Sequence, residues 1–129
     1  MSSRIAAIAI DAVQPPTVAE FWCGVLGWEV LEVDVDGDYT IHTIGPSDTV
    51  SPRIDVLGVP EGKSVKNRLH LDLQADDAST ETELQRLFEL GARRVDVGQD
   101  TDVSWVVLAD PEGNEFCLLS HTVEEEHAE

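Results

Sequence analysis

The sequence is poor in cysteine, in basic side chains and in aromatics, and each shortage excludes something. Its 129 residues include 2 Cys, Cys23 and Cys117, with no CxxC spacing. Reduced thiols are expected rather than a disulfide framework. Lys and Arg total 8 against 26 Asp and Glu, a formal charge of -18, which repels phosphate backbones and anionic lipid surfaces over a Debye length. Nucleic acid and membranes are therefore not expected as partners. The imbalance serves solubility, and its sharper reading is attraction of a cationic small molecule. No apolar stretch approaches the ~18 residues of a membrane span. The Ala/Ile run that follows Arg4 leads into a turn without a cleavage-like site, so it reads as a strand and not as a signal peptide. The chain is expected to stay in the cytoplasm. His42, His70, His121 and His127 are too scattered to form a zinc-ligand pattern.

What is present suits one globular domain over 1–129. Hydrophobic residues at 42% and charged residues at 26% are ordinary values, and a chain of this length buries roughly two-thirds of the surface it exposes when unfolded.

Residues 4–13 are apolar enough for a strand, and Pro15 and Pro16 open a helix without losing a hydrogen bond. Val18, Phe21, Trp22, Val25 and Leu26 then recur with helical period until Gly27 supplies a left-handed stop. Residues 28–35 alternate imperfectly, Asp36-Gly37 marks a hairpin, residues 38–44 resume as a strand, and 53–59 form another. The order then repeats. Residues 67–73 alternate, Thr80 and Glu83 suggest a capping box, Leu84, Leu87 and Phe88 form a helical stripe, and Gly91 ends it. Strands at 93–97, 104–108 and 115–120 follow, the last two joined by a type I turn, Asp110-Pro111-Glu112-Gly113. Leu26-Gly27 recurs as Leu90-Gly91, and Ile8 and Ile10 recur as Leu71 and Leu73, with one residue inserted between. Module 1 thus spans about 4–60 and module 2 about 67–120, and the acidic tail 121–129 is expected to fray.

Two βαβββ modules, each with one short helix, cover one face of their sheets and leave the other curved around a space, giving an α+β fold with a cupped mixed sheet. Period-2 alternation puts Ile8, Ile10, Leu69, Leu71 and Leu73 beneath the helices, and Ala7, Ala9, His70 and Asp72 on the opposite face. On the last strand Phe116 and Leu118 share one face and Cys117 and Leu119 the other; alternation leaves open which is inward.

AEFWCGVLGWEV at 19–30, KNRLHLDL at 66–73 and WVVLADPEGNEFCLL at 105–119 resemble the glyoxalase-like domains of the vicinal oxygen chelate superfamily, which holds glyoxalase I, extradiol dioxygenases and bleomycin resistance proteins. The resemblance runs over residues 4–120. It implies that metal ligands, where used, come from the first and last strands of each module as His, Gln or Glu. The places so matched are Ala7, His70, Asp55 or Leu57, and Cys117. Ala7 has no ligating atom, and an imidazole with a carboxylate and a thiol poorly suits hard divalent ions. The expectation is therefore no metal and no cofactor. The alternative is a divalent ion held by His70 with Asp55 or Cys117, in a lyase or dioxygenase.

The ligand-binding candidates are His70, Asp72, Trp105 and Cys117. His70 has a plainer role, hydrogen bonding to Asp72 or to a backbone carbonyl, and Cys117 reads as an inert buried thiol rather than a nucleophile. Among 3 Trp, 3 Phe and 1 Tyr, Trp22 belongs to the helix stripe, whereas Trp105 can stack on an aromatic or cationic ligand or else pack beneath a helix. Lys63, Lys66 and Arg68 form a basic island, either bordering a solvent loop or fixing an anion. Glu112 and Asn114 need no role beyond the turn. The function these features point to is small-molecule binding or sequestration in the manner of bleomycin resistance proteins, by a homodimer. An accessory domain without chemistry of its own is the remaining reading.

Overall fold

A computed structural model of the chain describes residues 1–95 and 105–127. It contains two compact units, Met1–Gly62 and Lys63–Glu129.

The first unit runs β1 (Ala7–Ala12), α1 (Pro15–Leu26), β2 (Glu29–Asp36), β3 (Tyr39–Gly45) and β4 (Arg53–Gly58). Its sheet has the order β1-β4-β3-β2, with β1 parallel to β4 and the other pairs antiparallel. Pro15 and Pro16 occupy the first helical positions of α1, where a missing N–H costs nothing, and Gly27 closes the helix at φ 68°. The Trp28 amide also turns back to the Cys23 carbonyl, at 3.0 Å. The expected stripe is the buried one: Val18, Phe21, Trp22 and Val25 are all covered, and Phe21 meets Trp22 edge to face at 5.3 Å. α1 packs on β3 and β4. Leu31 explains the imperfect alternation of β2, because Val30 pairs with Ile44 and Glu32 with Thr43, which makes Leu31 the extra residue of a bulge. β2 is an edge strand, exposed along nearly its whole length.

The second unit repeats the order: β5 (Asp72–Leu73), α2 (Thr80–Leu90), β6 (Arg93–Arg94), β7 (Trp105–Ala109) and β8 (Glu115–Leu119), followed by α3 (Val123–His127). Its sheet is β5-β8-β7-β6, with β5 parallel to β8. The fold is therefore α+β, built of two βαβββ modules. Phe116, Leu87, Leu108 and Leu118 form the centre of this unit's core.

Four expectations need correction here. The strand expected over 67–73 is only Asp72–Leu73, with the Leu71 carbonyl accepting from the Cys117 amide at 2.8 Å. Before it, the chain is held by a side chain, since the Asn67 amide donates to Glu115 Oε1 at 2.8 Å. Without strand geometry at that point Leu69 does not turn under the helix and is 90% exposed. The N-cap of α2 is Ser79, not Thr80: its hydroxyl accepts from the Thr82 amide at 3.1 Å, and Glu83 forks onto Arg86 at 2.7 and 2.8 Å. The tail forms a short helix instead of fraying. The Thr122 hydroxyl accepts from the Glu125 amide at 3.1 Å while the Glu125 carboxylate accepts from the Thr122 amide at 2.9 Å, a reciprocal capping box. Positions 96, 97 and 104 of the expected strands, and 128–129 of the tail, lie outside the described residues.

The β7–β8 turn forms as expected, with the Gly113 amide donating to the Asp110 carbonyl at 2.9 Å and Gly113 at φ 92°. Asp110 is fully buried, and its carboxylate accepts from the Glu112 and Asn114 amides and from the Asn114 side chain, each at 2.9 Å. Three N–H donors compensate the carboxylate for the water it has lost.

Candidate functional site

Strand register sorts the side chains of the second unit onto two faces. Asp72 lies opposite Cys117, Cys117 opposite Val107, and Leu119 opposite Trp105. Paired residues share a face, so Asp72, Cys117, Leu119, Val107 and Trp105 stand together. Phe116 and Leu118, 0% and 1% exposed, occupy the other side of β8, against which α2 packs. The choice that alternation left open is thus decided: Cys117 belongs to the face opposite α2. Trp105 is 40% exposed there, which removes the alternative of packing under a helix. Trp22, by contrast, is core at 1%.

His70 precedes β5 and reaches the same face. Its Nδ1 lies 3.5 Å from Asp72 Oδ1 and 4.0 Å from Cys117 Sγ. One donor atom from each of the three residues lies within 4.8 Å of the others, a grouping that could hold a metal ion. The His70 and Asp72 side chains are 40% and 53% exposed, so the cluster opens to solvent on one side and rests on the buried thiol on the other. Burial pushes the Cys117 thiol up to about 11, helped by the charge of Asp72 and a hydrogen bond to it, with Lys66 pulling the other way. A raised value favours the protonated thiol over the thiolate at neutral pH.

Of the basic island, Lys63 is engaged with Glu115, Nζ to Oε2 at 2.5 Å, while Lys66 and Arg68 are exposed. Burial raises the Glu115 carboxyl, but the hydrogen bonds from Lys63 and the Asn67 amide, with the Lys63 charge, outweigh it and hold the group below the ordinary carboxylate value. Sequence reasoning missed this clamp. Nothing in local spacing connects Glu115 with residues 63–67, and only the fold brings them together.

The first unit carries the equivalent positions. β1 runs parallel to β4 with Ala9 opposite Asp55, as β5 runs parallel to β8 with Asp72 opposite Cys117. Asp55, not Leu57, is therefore the internal counterpart of Cys117, and Ala7 and Ala9 are the counterparts of His70 and Asp72. The Asp55 carboxylate accepts from the Thr43 hydroxyl at 2.8 Å. Donors at these places are concentrated in one module: three in the second and a single hydrogen-bonded carboxylate in the first. Sequence reasoning offered Asp55 as a metal-binding carboxylate with His70, and Asp72 as a hydrogen-bond partner of His70. Within the second unit Asp72 is the carboxylate beside His70, and the H-x-D spacing of a strand was the signal for it.

A family model described as "Glyoxalase-like domain" matches residues 7–119. No curated protein matches the sequence. Among solved structures, the trypanothione-dependent glyoxalase I of Leishmania major is 19% identical over 97% of this chain and 91% of its own, with a TM-score of 0.73. The fosfomycin resistance protein FosX of Mesorhizobium loti is 13% identical over 100% of each chain, with a TM-score of 0.70. A single-residue mutant of FosX of Listeria monocytogenes, complexed with Mn(II) and 1S,2S-dihydroxypropylphosphonic acid, is 14% identical over 99% of this chain and 100% of its own, with a TM-score of 0.68. At such identities the likeness is one of fold.

Proposed function

The chain belongs to the family of glyoxalase-like domains, within the vicinal oxygen chelate superfamily, and from that premise we propose that it binds a small organic molecule against His70, Asp72, Trp105 and Cys117, without a hard catalytic metal. The observation that carries this reading is the shared sheet face. A half-exposed indole offers a flat stacking surface, and the His70–Asp72 pair offers a polar contact on the same side. The net charge of -18 favours a cationic ligand. Sequestration in the manner of bleomycin resistance proteins is the activity that fits.

Mn(II) is bound in the Listeria FosX complex, and the donor set here does not suit such an ion. Hard divalent ions take mostly oxygen ligands and retain exchangeable water. Ala7 and Ala9 supply no donor, and the second module contributes a thiol in place of a carboxylate. The rival reading, a divalent-metal lyase or dioxygenase using His70, draws its support from the closeness of His70, Asp72 and Cys117.

We hold further that the two units act as one domain, that the protein is a cytoplasmic homodimer, and that no nucleic acid or membrane is a partner; among the described residues no helix is long and apolar enough to cross a membrane. Thermal melting of the full chain against cationic, neutral and anionic small molecules tests the ligand. A ligand at 100 times its Kd stabilises by about 2.7 kcal/mol, and Trp105→Ala should abolish that gain for cations. Stabilisation by anions alone overturns the charge argument, and an activity that requires added Mn(II) establishes the rival.

A further inference from the structure

We propose that β2 is a docking strand for an extended basic segment of another protein, one in which lysine or arginine alternates with aliphatic residues. The surface belongs to the first module and goes beyond the ligand-binding reading, on which it does not depend.

β2 is the outer strand of its sheet and pairs with β3 on one side only. Its ladder closes at Asp36–Tyr39 across the two-residue turn Gly37-Asp38, so that pair, and by alternation Asp34–Ile41 and Glu32–Thr43, are the hydrogen-bonded ones. The backbone amides and carbonyls of Val33 and Val35 therefore point to the open edge, where an incoming strand can take them up.

The two faces of the strand differ in kind. Val30 lies opposite Ile44, Val33 opposite His42 and Val35 opposite Thr40. Ile44, and Val56 opposite His42, are fully buried on the side where α1 packs, so the three valines are the margin of the same apolar face. α1 does not shelter them, and they are 46%, 52% and 74% exposed. On the reverse face Glu32, Asp34 and Asp36 stand in a row, all exposed, and among the described residues none has an ion-pair partner.

Charge and pattern together select the occupant. A second β2 brings carboxylates of the same sign. A strand with basic residues at alternate positions sets them opposite Glu32, Asp34 and Asp36 and turns its aliphatic residues onto Val33 and Val35. The exposed ion pairs contribute little individually. Main-chain hydrogen bonds and valine burial hold the segment, and the order of charges fixes its register.

The test is fluorescence anisotropy of a labelled peptide as long as β2, with lysine and valine alternating, titrated with the full chain. The result expected is saturable binding that weakens as salt rises, no binding of the glutamate–valine counterpart, and binding about tenfold weaker when the same lysines and valines stand in two blocks. Hydrogen exchange at the Val33 and Val35 amides should slow when the alternating peptide is added. Asp34→Lys should weaken binding about tenfold, as should Val35→Pro, which deletes an outward N–H. Asp48→Lys, the same charge change at an exposed loop position, should leave binding unchanged. Because Asp34 is exposed, its variant keeps the comparison valid should Val35→Pro fail to fold, as judged by circular dichroism. No binding of the alternating peptide, equal binding of the block peptide, equal effects of Asp34→Lys and Asp48→Lys, or slowed exchange confined to other amides would each overturn the inference. So would a dimer, seen by sedimentation, that dissociates in Asp34→Lys, since a second copy would then occupy the strand.

Discussion

Asp72 stands directly across the parallel β5–β8 ladder from Cys117, and its carboxylate acts on the thiol in the same direction as burial. Burial is the larger cause of the upward shift to about 11, and the Asp72 carboxylate adds to it by charge and by hydrogen bond.

Alkylation by iodoacetamide, followed residue by residue in a mass spectrometer, should therefore show Cys117 reacting far more slowly than a free thiol at pH 8, with its rate still climbing above pH 9. Asp72→Asn removes the second contribution but not the first. Its expected effect is a partial fall in the midpoint and a several-fold faster reaction at pH 8. A midpoint unmoved by the substitution would show that the carboxylate does not act on the sulfur.

Glu115 ties residues 63–67 to β8, and its carboxyl lies below its ordinary value of 4.5 in the folded protein. A depressed carboxyl contributes stability that is complete above the unfolded value and is lost as pH falls through the folded one. Glu115→Gln should cost about 1 kcal/mol in urea unfolding at pH 7, with the difference from the parent shrinking below pH 4. A penalty constant with pH would remove the charge from the explanation.

Asp110 is buried with three N–H groups pointed at it. Asp110→Ala strands those donors and should destabilise by about 3 kcal/mol. Asp110→Asn keeps one acceptor oxygen and should cost less. Equal costs for the two would mean that packing rather than acceptance matters at this turn.

Gly27 closes α1 at φ 68°, and a Cβ there would meet nothing within 4 Å. Gly27→Ala should therefore lose about 1 kcal/mol through left-handed strain alone, and Gly27→Asn less, as Asn tolerates this cap. Thermal melts of the two variants separate strain from collision.

Periodic features and most local ones were legible in the sequence. The α1 stripe, the glycine stops and the Asp110–Gly113 turn were legible because each depends on neighbours within a few residues. The shortness of β5 was not, because the chain around Asn67 answers to Glu115, which lies far along the sequence, and no local pattern in KNRLHLDL records that partner. The alternation rule consequently placed Leu69 under a helix it never reaches. The candidate site was half legible. The spacing of His70 and Asp72 put both on one face, whereas the place of Cys117 directly across from Asp72 required strand register, which side-chain chemistry does not encode. At the C-terminal end, acidity argued for fraying, and the Thr122–Glu125 pair outweighed it.

The edge strand β2 also bears on how copies of the chain meet. Two β2 strands laid antiparallel about their midpoint would set Glu29 against Asp36 at both ends of the ribbon, and like charges directly opposed are unfavourable. Closure of a dimer through this border is thereby discouraged in dilute buffer, and a symmetric pair would find better purchase on another surface.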